Sequence, residues 1–528
     1  MKDTIQFILS KHDSAKSVRS NYEGTWQDIS DYILPNRGNF NSRVADGDNT
    51  KRSKVFDTTG EQANNLLAAS LFGGLTSPSS KWFSLRLKDI KGFEESELVE
   101  RFMENAVDEM LDVFNSSNSG FTSQTHEYFL SLTSYGTSAL YIEDIPGEDV
   151  KFCTVHLSEI SILENKVGVP DTVFREFQMT VRQISQKWGV ESLHPKLLKI
   201  LDQDPERKIR ILHCVLPAED MKIPNKKFKF HSYFIDLEHT HILSEGGYYE
   251  QPYIIARFSK LAGEHYGRSP AWSCLPDVKM VNAMKETMIR SSQLNAAPPM
   301  LLADDGVMSP LKITPNGVIM GGISMDGMER VKPLMMGNNL AINDNMIQQV
   351  QKSIRDMFYI DAFIFRDQAM MTATEARLRQ QEQLRLLAPH IGRIQSEFLF
   401  PLIEKVFNIL LRRGILGTVP EELRGREWSV DYISPLALLQ KSQDVQSIQN
   451  FLSMLLPLSQ VNPDVLDSVD FDKAIKTMAE DSGVPLKVLR TNDEIAKLRQ
   501  QKQQAQAQQM MLNQGQQAAD IISKLPPQ

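Results

Sequence analysis

Residues 266–390 restrict the fold more than any other part of the chain: two runs with helical spacing flank an insert that cannot be helical. The first run, 269–295, places Leu275, Val278, Val281, Met284 and Met288 on one face, with Pro270 and Pro276 near its start, where proline is tolerated. The second, 340–359, repeats the pattern with Ile342, Met346, Val350, Ile354 and Met357. Between them lie Pro298-Pro299, Asp305-Gly306, Pro315-Asn316-Gly317, Gly321-Gly322 and Asp326-Gly327, which read as short strands joined by turns. Two matched helices carrying a strand-rich head suit a lever or a wall better than a catalytic cleft.

The flanking regions predict an α+β chain, predominantly helical. The run 5–34 has helical spacing (Phe7, Val18, Tyr22, Trp26, Ile29, Ile33) and stops at Leu34-Pro35-Asn36. Asp57 or Thr58 can cap a helix over 62–71 that Phe72-Gly73-Gly74 would close. A strand over 82–87 and helices over 95–114 and 121–134 follow. From 136 to 258 the period becomes two, with strands expected at 139–143, 152–157, 168–176, 208–215, 228–237 and 253–258. Beyond Tyr359 a short apolar segment, 360–371, leads to a helix that Thr372 caps and Glu375 locks in a capping box. That helix carries Arg377, Arg379, Glu382 and Arg385 toward Leu411, with kinks at Pro389 and Pro401. A strand at 427–433, helices at 436–456 and 470–481, and a Gln-rich stretch, 493–524, complete the reading. That last stretch has no apolar stripe and needs neighbours to be a stable helix.

Composition narrows function mainly by exclusion. A chain of 528 residues with 41% hydrophobic and 23% charged residues has the balance of a core-forming protein of several domains. Residues 1–9 are polar and mixed, unlike a secretion signal, and the best apolar run, 398–411, is too interrupted to span a bilayer. Three scattered cysteines, Cys153, Cys214 and Cys274, give neither a disulfide framework nor a metal knuckle, so a reducing setting is expected. Net charge of −8 argues against a static electrostatic grip on nucleic acid. No phosphate-cradling G-x-x-x-x-G-K-[ST] loop is present. His126-Glu127 lacks a second histidine four residues on, and Gly136-x-Ser138 lacks the closing glycine of a nucleophile elbow. His239 and His241 share one face of an expected strand and read as a surface pair, while Asp304-Asp305 reads as turn chemistry. No enzyme and no cofactor are indicated.

Several stretches in order along the chain carry a resemblance. They are Trp26-x-x-Ile29-x-x-Tyr32-Ile33-Leu34-Pro35, Phe56-Asp57-Thr58-Thr59-Gly60 and Ala68-Ala69-Ser70-Leu71-Phe72-Gly73-Gly74-Leu75-Thr76-Ser77-Pro78. Tyr266-Gly267-Arg268-Ser269-Pro270, Thr372-Ala373-Thr374-Glu375 with Arg377, and Tyr432-Ile433-Ser434-Pro435-Leu436-Ala437 follow. Together they resemble the portal, or head-to-tail connector, of short-tailed bacteriophages of the T7-like kind, over nearly the whole chain.

The resemblance implies a ring of about twelve identical subunits at one capsid vertex, through which double-stranded DNA is packaged and ejected. It divides the chain into a wing (1–265), stem helix 1 (266–296), clip (297–339), stem helix 2 (340–359), tunnel loop (360–371), long helix and wing return (372–444), and crown with a C-terminal helical barrel (445–528). Phe363, Phe365, Arg366, Met370 and Met371 would then face DNA from the tunnel loop. Met300, Leu302, Ile313, Val318, Ile319 and Met320 would dock partners from the clip, and Glu375, Arg377, Arg379, Glu382 and Arg385 would pair between subunits. Implied partners are further copies, DNA, terminase, the tail adaptor, and scaffolding, internal core and capsid proteins, with no membrane. The implied location is the virion, after assembly in the host bacterial cytoplasm. The acidic balance agrees, since a negative channel wall discourages DNA from sticking. Without the resemblance, both stripes read equally as the core of one globular domain, and Phe363, Phe365, Met370 and Met371 as buried residues. The Arg/Glu pattern then reads as a solvated helix face. The alternatives are another virion component, such as a scaffold or adaptor, or a DNA-packaging enzyme.

Overall fold

The computed structural model describes residues 2–35, 40, 54–87, 97–145, 147–221, 227–298, 300–302, 323, 328, 331–333, 340–360, 385–423, 428–433 and 447–455, with isolated residues from 457 to 502. The chain divides into two compact units, Met1–Asp431 and Tyr432–Gln528. In the second, residues 447–455 are helical, with Leu455 buried and Phe451 and Met454 exposed.

The first unit opens with α1 (Lys2–Tyr32), α2 (Thr59–Leu75), β1 (Phe83–Leu87), α3 (Glu97–Asn115) and α4 (Phe121–Tyr135). Strands β2 (Thr137–Glu143), β3 (Lys151–Val155), β4 (Ile160–Glu164) and β5 (Pro170–Thr180) precede two short helices, α5 (Val181–Trp188) and α6 (Pro195–Gln203). Then come β6 (Lys208–Pro217), β7 (Phe230–Asp236), β8 (His241–Tyr248) and β9 (Tyr253–Arg257). β4 through β8 form an antiparallel five-stranded sheet in the order β4-β5-β6-β7-β8. β2 lies between β3 and β9 in a second antiparallel sheet.

Alternation along β6 explains how the larger sheet is covered. Leu212, Cys214 and Leu216 point to one face and join Ile5, Ile8 and Ala15 of α1 in a buried cluster. Ile209 and Ile211 point to the other and meet Val181 and Ile184 of α5, Leu197 of α6 and Leu243 of β8. One strand thus holds a helix on each side.

Beyond the sheets run α7 (Pro270–Ala296), β10 (Met300–Leu302), β11 (Val331–Pro333) and α8 (Leu340–Met357). β10 pairs antiparallel with β11, Met300 opposite Pro333 and Leu302 opposite Val331. A π-helical turn, Gln395–Leu399, leads into α9 (Phe400–Arg413), and β12 (Trp428–Tyr432) pairs with β1.

Three expectations need correcting. α2 does not stop at Phe72-Gly73-Gly74 but runs to Leu75, because Leu71 and Leu75 are both fully buried and hold the last turn. A Cβ at Gly73 would meet nothing within 4 Å, so this glycine lies where packing is loose and costs the helix only its entropy. Pro276 stands inside α7, past the first turn, on an exposed position. β4, β8, α5 and α6 were not anticipated; α5 and α6 have eight and nine residues, too few to make a clear period.

Candidate functional site: the base of the helix pair

α7 begins at a joint built from backbone. Gly136, with φ +82°, ends α4, and a Cβ there would come within 2.5 Å of the Gly267 carbonyl oxygen. A Cβ on Gly267 would run into the Gly136 carbonyl oxygen in turn. The crossing is pinned by Gly267 N–H donating to Thr137 Oγ1 at 2.8 Å and Phe258 N–H donating to the Gly136 carbonyl at 2.9 Å. Ser269 caps α7: its Oγ accepts from Trp272 N–H at 3.0 Å and donates to the Ser134 carbonyl at 2.5 Å, while Pro270 takes the first turn.

Below this joint a buried carboxylate ties three helices together. Asp57 Oδ1 accepts the Thr59 N–H at 2.9 Å, at the start of α2. Its Oδ2 receives Lys285 Nζ of α7 at 2.7 Å and Gln351 Nε2 of α8 at 2.7 Å. Asn282 of α7 adds a second strap, its Oδ1 accepting from Phe56 N–H at 2.7 Å and its Nδ2 donating to the Lys54 carbonyl at 3.1 Å. Burial opposes the Asp57 charge, but Lys285, Thr59 and Gln351 outweigh it and hold the pKa below the ordinary carboxylate value. Gly60 lets α2 approach α7, since a Cβ there would lie 3.2 Å from Val278.

Above, Arg257 of β9 has a side chain only 2% exposed and collects two carboxylates. Its Nη2 lies 2.8 Å from Glu397 Oε1, in the π-helical turn, and its Nη1 is paired with Glu164 at the end of β4. Lys260 Nζ adds a 2.5 Å bond to Glu164, and Arg393 Nη1 a 2.9 Å bond to Glu397. The π-turn therefore sits where the helix must present Glu397 to Arg257 and Arg393 together. Two residues past the end of α8, Tyr359 has φ 56°, a left-handed conformation that is costly for a bulky side chain.

The expected stripe of α7 is largely internal: Leu275, Val278 and Val281 are buried, and Met284 and Met288 half-buried. On α8 the stripe is shifted. Ile347, Ile354 and Phe358 are buried, whereas Met346 is 51% exposed and Met357 39% exposed, because the α7-facing side follows 347, 354 and 358. α7 likewise exposes Met280, Ile289 and Leu294. Of the clip residues, Met300 and Leu302 belong to β10, and Ile313, Val318, Ile319 and Met320 lie outside the described residues. Phe363, Phe365, Arg366, Met370 and Met371 also lie outside them, as do Glu375, Arg377, Arg379 and Glu382; Arg385 is exposed. His239 does not share a strand face with His241: it occupies the β7–β8 turn, and its ring stacks on His194. Sequence reading noticed Asp57 as a helix cap and as part of the Phe56–Gly60 stretch, not as a tie between helices. Its partners Lys285 and Gln351 lie far along the chain, and nothing in the local pattern marks them.

Among the described residues no group of three His, Cys, Asp or Glu side chains is arranged to hold a metal ion. What the geometry builds is a joint: two sheets, a backbone crossing, and a helix pair clamped at its base. The chain belongs to the family of bacteriophage head to tail connecting proteins, which it matches over residues 6–489. It is therefore a structural component of a phage particle and not an enzyme. It is 27% identical over 536 residues to the probable portal protein of Bordetella phage BPP-1, across 98% of this chain and 95% of that protein. With the portal protein of Salmonella phage epsilon15 it shares 26% over 516 residues, across 96% and 92%. A solved structure, the neck of an empty GTA particle computed with C6 symmetry, overlaps 74% of this chain and 86% of its own at 12% identity, with a TM-score of 0.40.

Proposed function

We propose that the chain is the portal of its phage: a closed ring of twelve copies at one capsid vertex that conducts double-stranded DNA during packaging and ejection. The match to the connector family over residues 6–489 carries this reading. In it, α7 and α8 are the stem, 297–339 the clip that docks terminase and then the tail adaptor, and 360–371 the tunnel loop. A helix of about 20 residues spans about 30 Å, enough to cross a capsid shell. The methionines that α8 leaves exposed, Met346 and Met357, give each stem an apolar outer face for a neighbouring copy.

Negative-stain electron microscopy with a solution mass tests the ring. Closed rings near twelve times 59.9 kDa, about 720 kDa, are expected. Failure to form rings at high concentration and with scaffolding protein would remove the reading, and rings that do not bind terminase would point to an adaptor. Within such rings, Phe363→Ala or Arg366→Ala should leave assembly intact and alter DNA retention in filled particles; loss of assembly instead would take residues 360–371 out of the channel.

A further inference from the structure

Three histidine rings meet where α6 and the β7–β8 turn come together, and no part of the connector reading uses them. The His194 and His239 rings stack with centroids 5.1 Å apart and planes 18° from parallel, and the His241 ring stands edge-on to His194 at 5.6 Å. Each ring also has a fixed task. His194 is the N-cap of α6, its Nδ1 accepting the Lys196 N–H at 3.3 Å. His239 Nδ1 lies 2.6 Å from the buried Asp236 Oδ2, which can only accept. His241 Nε2 donates to the Ser192 carbonyl at 3.0 Å, in the turn before α6.

We propose that this histidine stack is an acid-sensitive latch that holds α6 against the five-stranded sheet near neutral pH and loosens it under mild acid. A second proton on His194 must go to Nδ1, the atom that caps the helix, and turns an acceptor into a donor aimed at the Lys196 N–H. The cation so formed would stand 5.1 Å from the His239 ring and 5.6 Å from the His241 ring, with the Lys196 charge also acting against it. On the opposing side are Asp236, already bonded to His239, and Glu238, 3.9 Å from Arg207. Partial burial first, then His239, His241 and Lys196, hold His194 below the ordinary imidazole value of 6.5. The folded form therefore binds fewer protons than the unfolded one, and the stabilisation is lost as pH falls below about 6.5. Loosening would uncover Leu197, which is fully buried against Ile209 and Ile211 of β6.

Hydrogen exchange of the 195–203 amides in the full-length protein, at pH 7.5 and 5.5 and corrected for intrinsic rates, tests the latch. The wild type should exchange about fivefold faster at the lower pH, the factor that corresponds to about 1 kcal/mol of capping. His194→Asn keeps a capping side chain but does not titrate, so its corrected rates should be the same at both pH values. Equal corrected rates in the wild type would overturn the proposal, and so would an acid response that survives unchanged in His194→Asn.

Discussion

The two sheets and the outer faces of the helix pair treat their side chains in opposite ways. In the sheets most buried polar groups are matched, with Ser138 of β2 and Ser161 of β4 keeping enclosed hydroxyls that have no partner among the described residues. His213 of β6 is buried flat on the Phe234 ring at 4.0 Å, with Nδ1 2.6 Å from Tyr253 Oη and Nε2 3.0 Å from Ser232 Oγ. Burial, with Arg175 and Lys187 adding to it, pushes the His213 pKa well down and keeps the ring neutral. Along α7 and α8, by contrast, Met280, Ile289, Leu294, Met346 and Met357 face outward while charged residues close to them are clamped below. The sheets bury their large side chains within the chain. The helix pair buries one face within the chain and leaves apolar side chains exposed on the other.

The contrast can be broken most severely inside the sheets. Arg257→Ala should cost about 3 kcal/mol, because Glu164 and Glu397, both largely enclosed, would lose their shared cation and keep only Lys260 and Arg393. Thermal unfolding would measure it, and a change below about 1 kcal/mol would mean that the cluster is wetter than its burial indicates. At the base of the helices, Asp57→Asn should cost about 2 kcal/mol by removing the carboxylate that Lys285, Gln351 and Thr59 share. Because its pKa is lowered in the fold, the wild type should also lose stability as pH falls below 3.8, and the variant should lose less.

A gain is expected at Lys405. It is buried in α9, donates to the Gln251 carbonyl at 3.2 Å and lies over the Tyr248 ring, and burial pulls its pKa down to about 7. The unfolded chain holds the proton up to about 10.5, so the wild type should grow more stable as pH rises from about 7 toward 10.5. Lys405→Met should raise stability by about 1–2 kcal/mol at pH 6.5 and flatten that slope in denaturant titrations. The smallest change sharpens the comparison: Met346→Ser with Met357→Ser should alter the stability of the single chain by no more than about 0.5 kcal/mol. The same pair should weaken self-assembly in sedimentation velocity. Destabilisation of the isolated chain without loss of assembly would put those methionines in an internal core.

The sequence was most readable where one period ran long. α7 and α8 lie within a residue or two of the expected 269–295 and 340–359, and the strand at 208–215 became β6. Register was harder to read. On α8, Met346 and Met357 satisfy helical spacing as well as Ile347 and Phe358 do, and only the packing of α7 selects between the two sets. Short elements inside the sheet region escaped for the same physical reason: α5 has one clear apolar pair, Val181 and Ile184, and tertiary burial supplies the rest. The base of the site was invisible, because an Asp at 57, a Lys at 285 and a Gln at 351 have no local pattern in common. The charged helix was read from its capping box, the roles of its side chains and of the tunnel-loop residues from resemblance, and most of these residues lie outside the described ones.

The crossing of Gly136 and Gly267 has one more consequence. Where two side chains collide, a larger one on one strand can be accommodated by a smaller one on the other, and such pairs can drift together through generations. Here each side is already hydrogen, and the nearest collision at each is with the other's main-chain carbonyl oxygen. No substitution at either glycine can be rescued at its partner, so the two positions are locked separately. Any descendant of this chain that replaces one of them has to reroute the path between the sheets and α7.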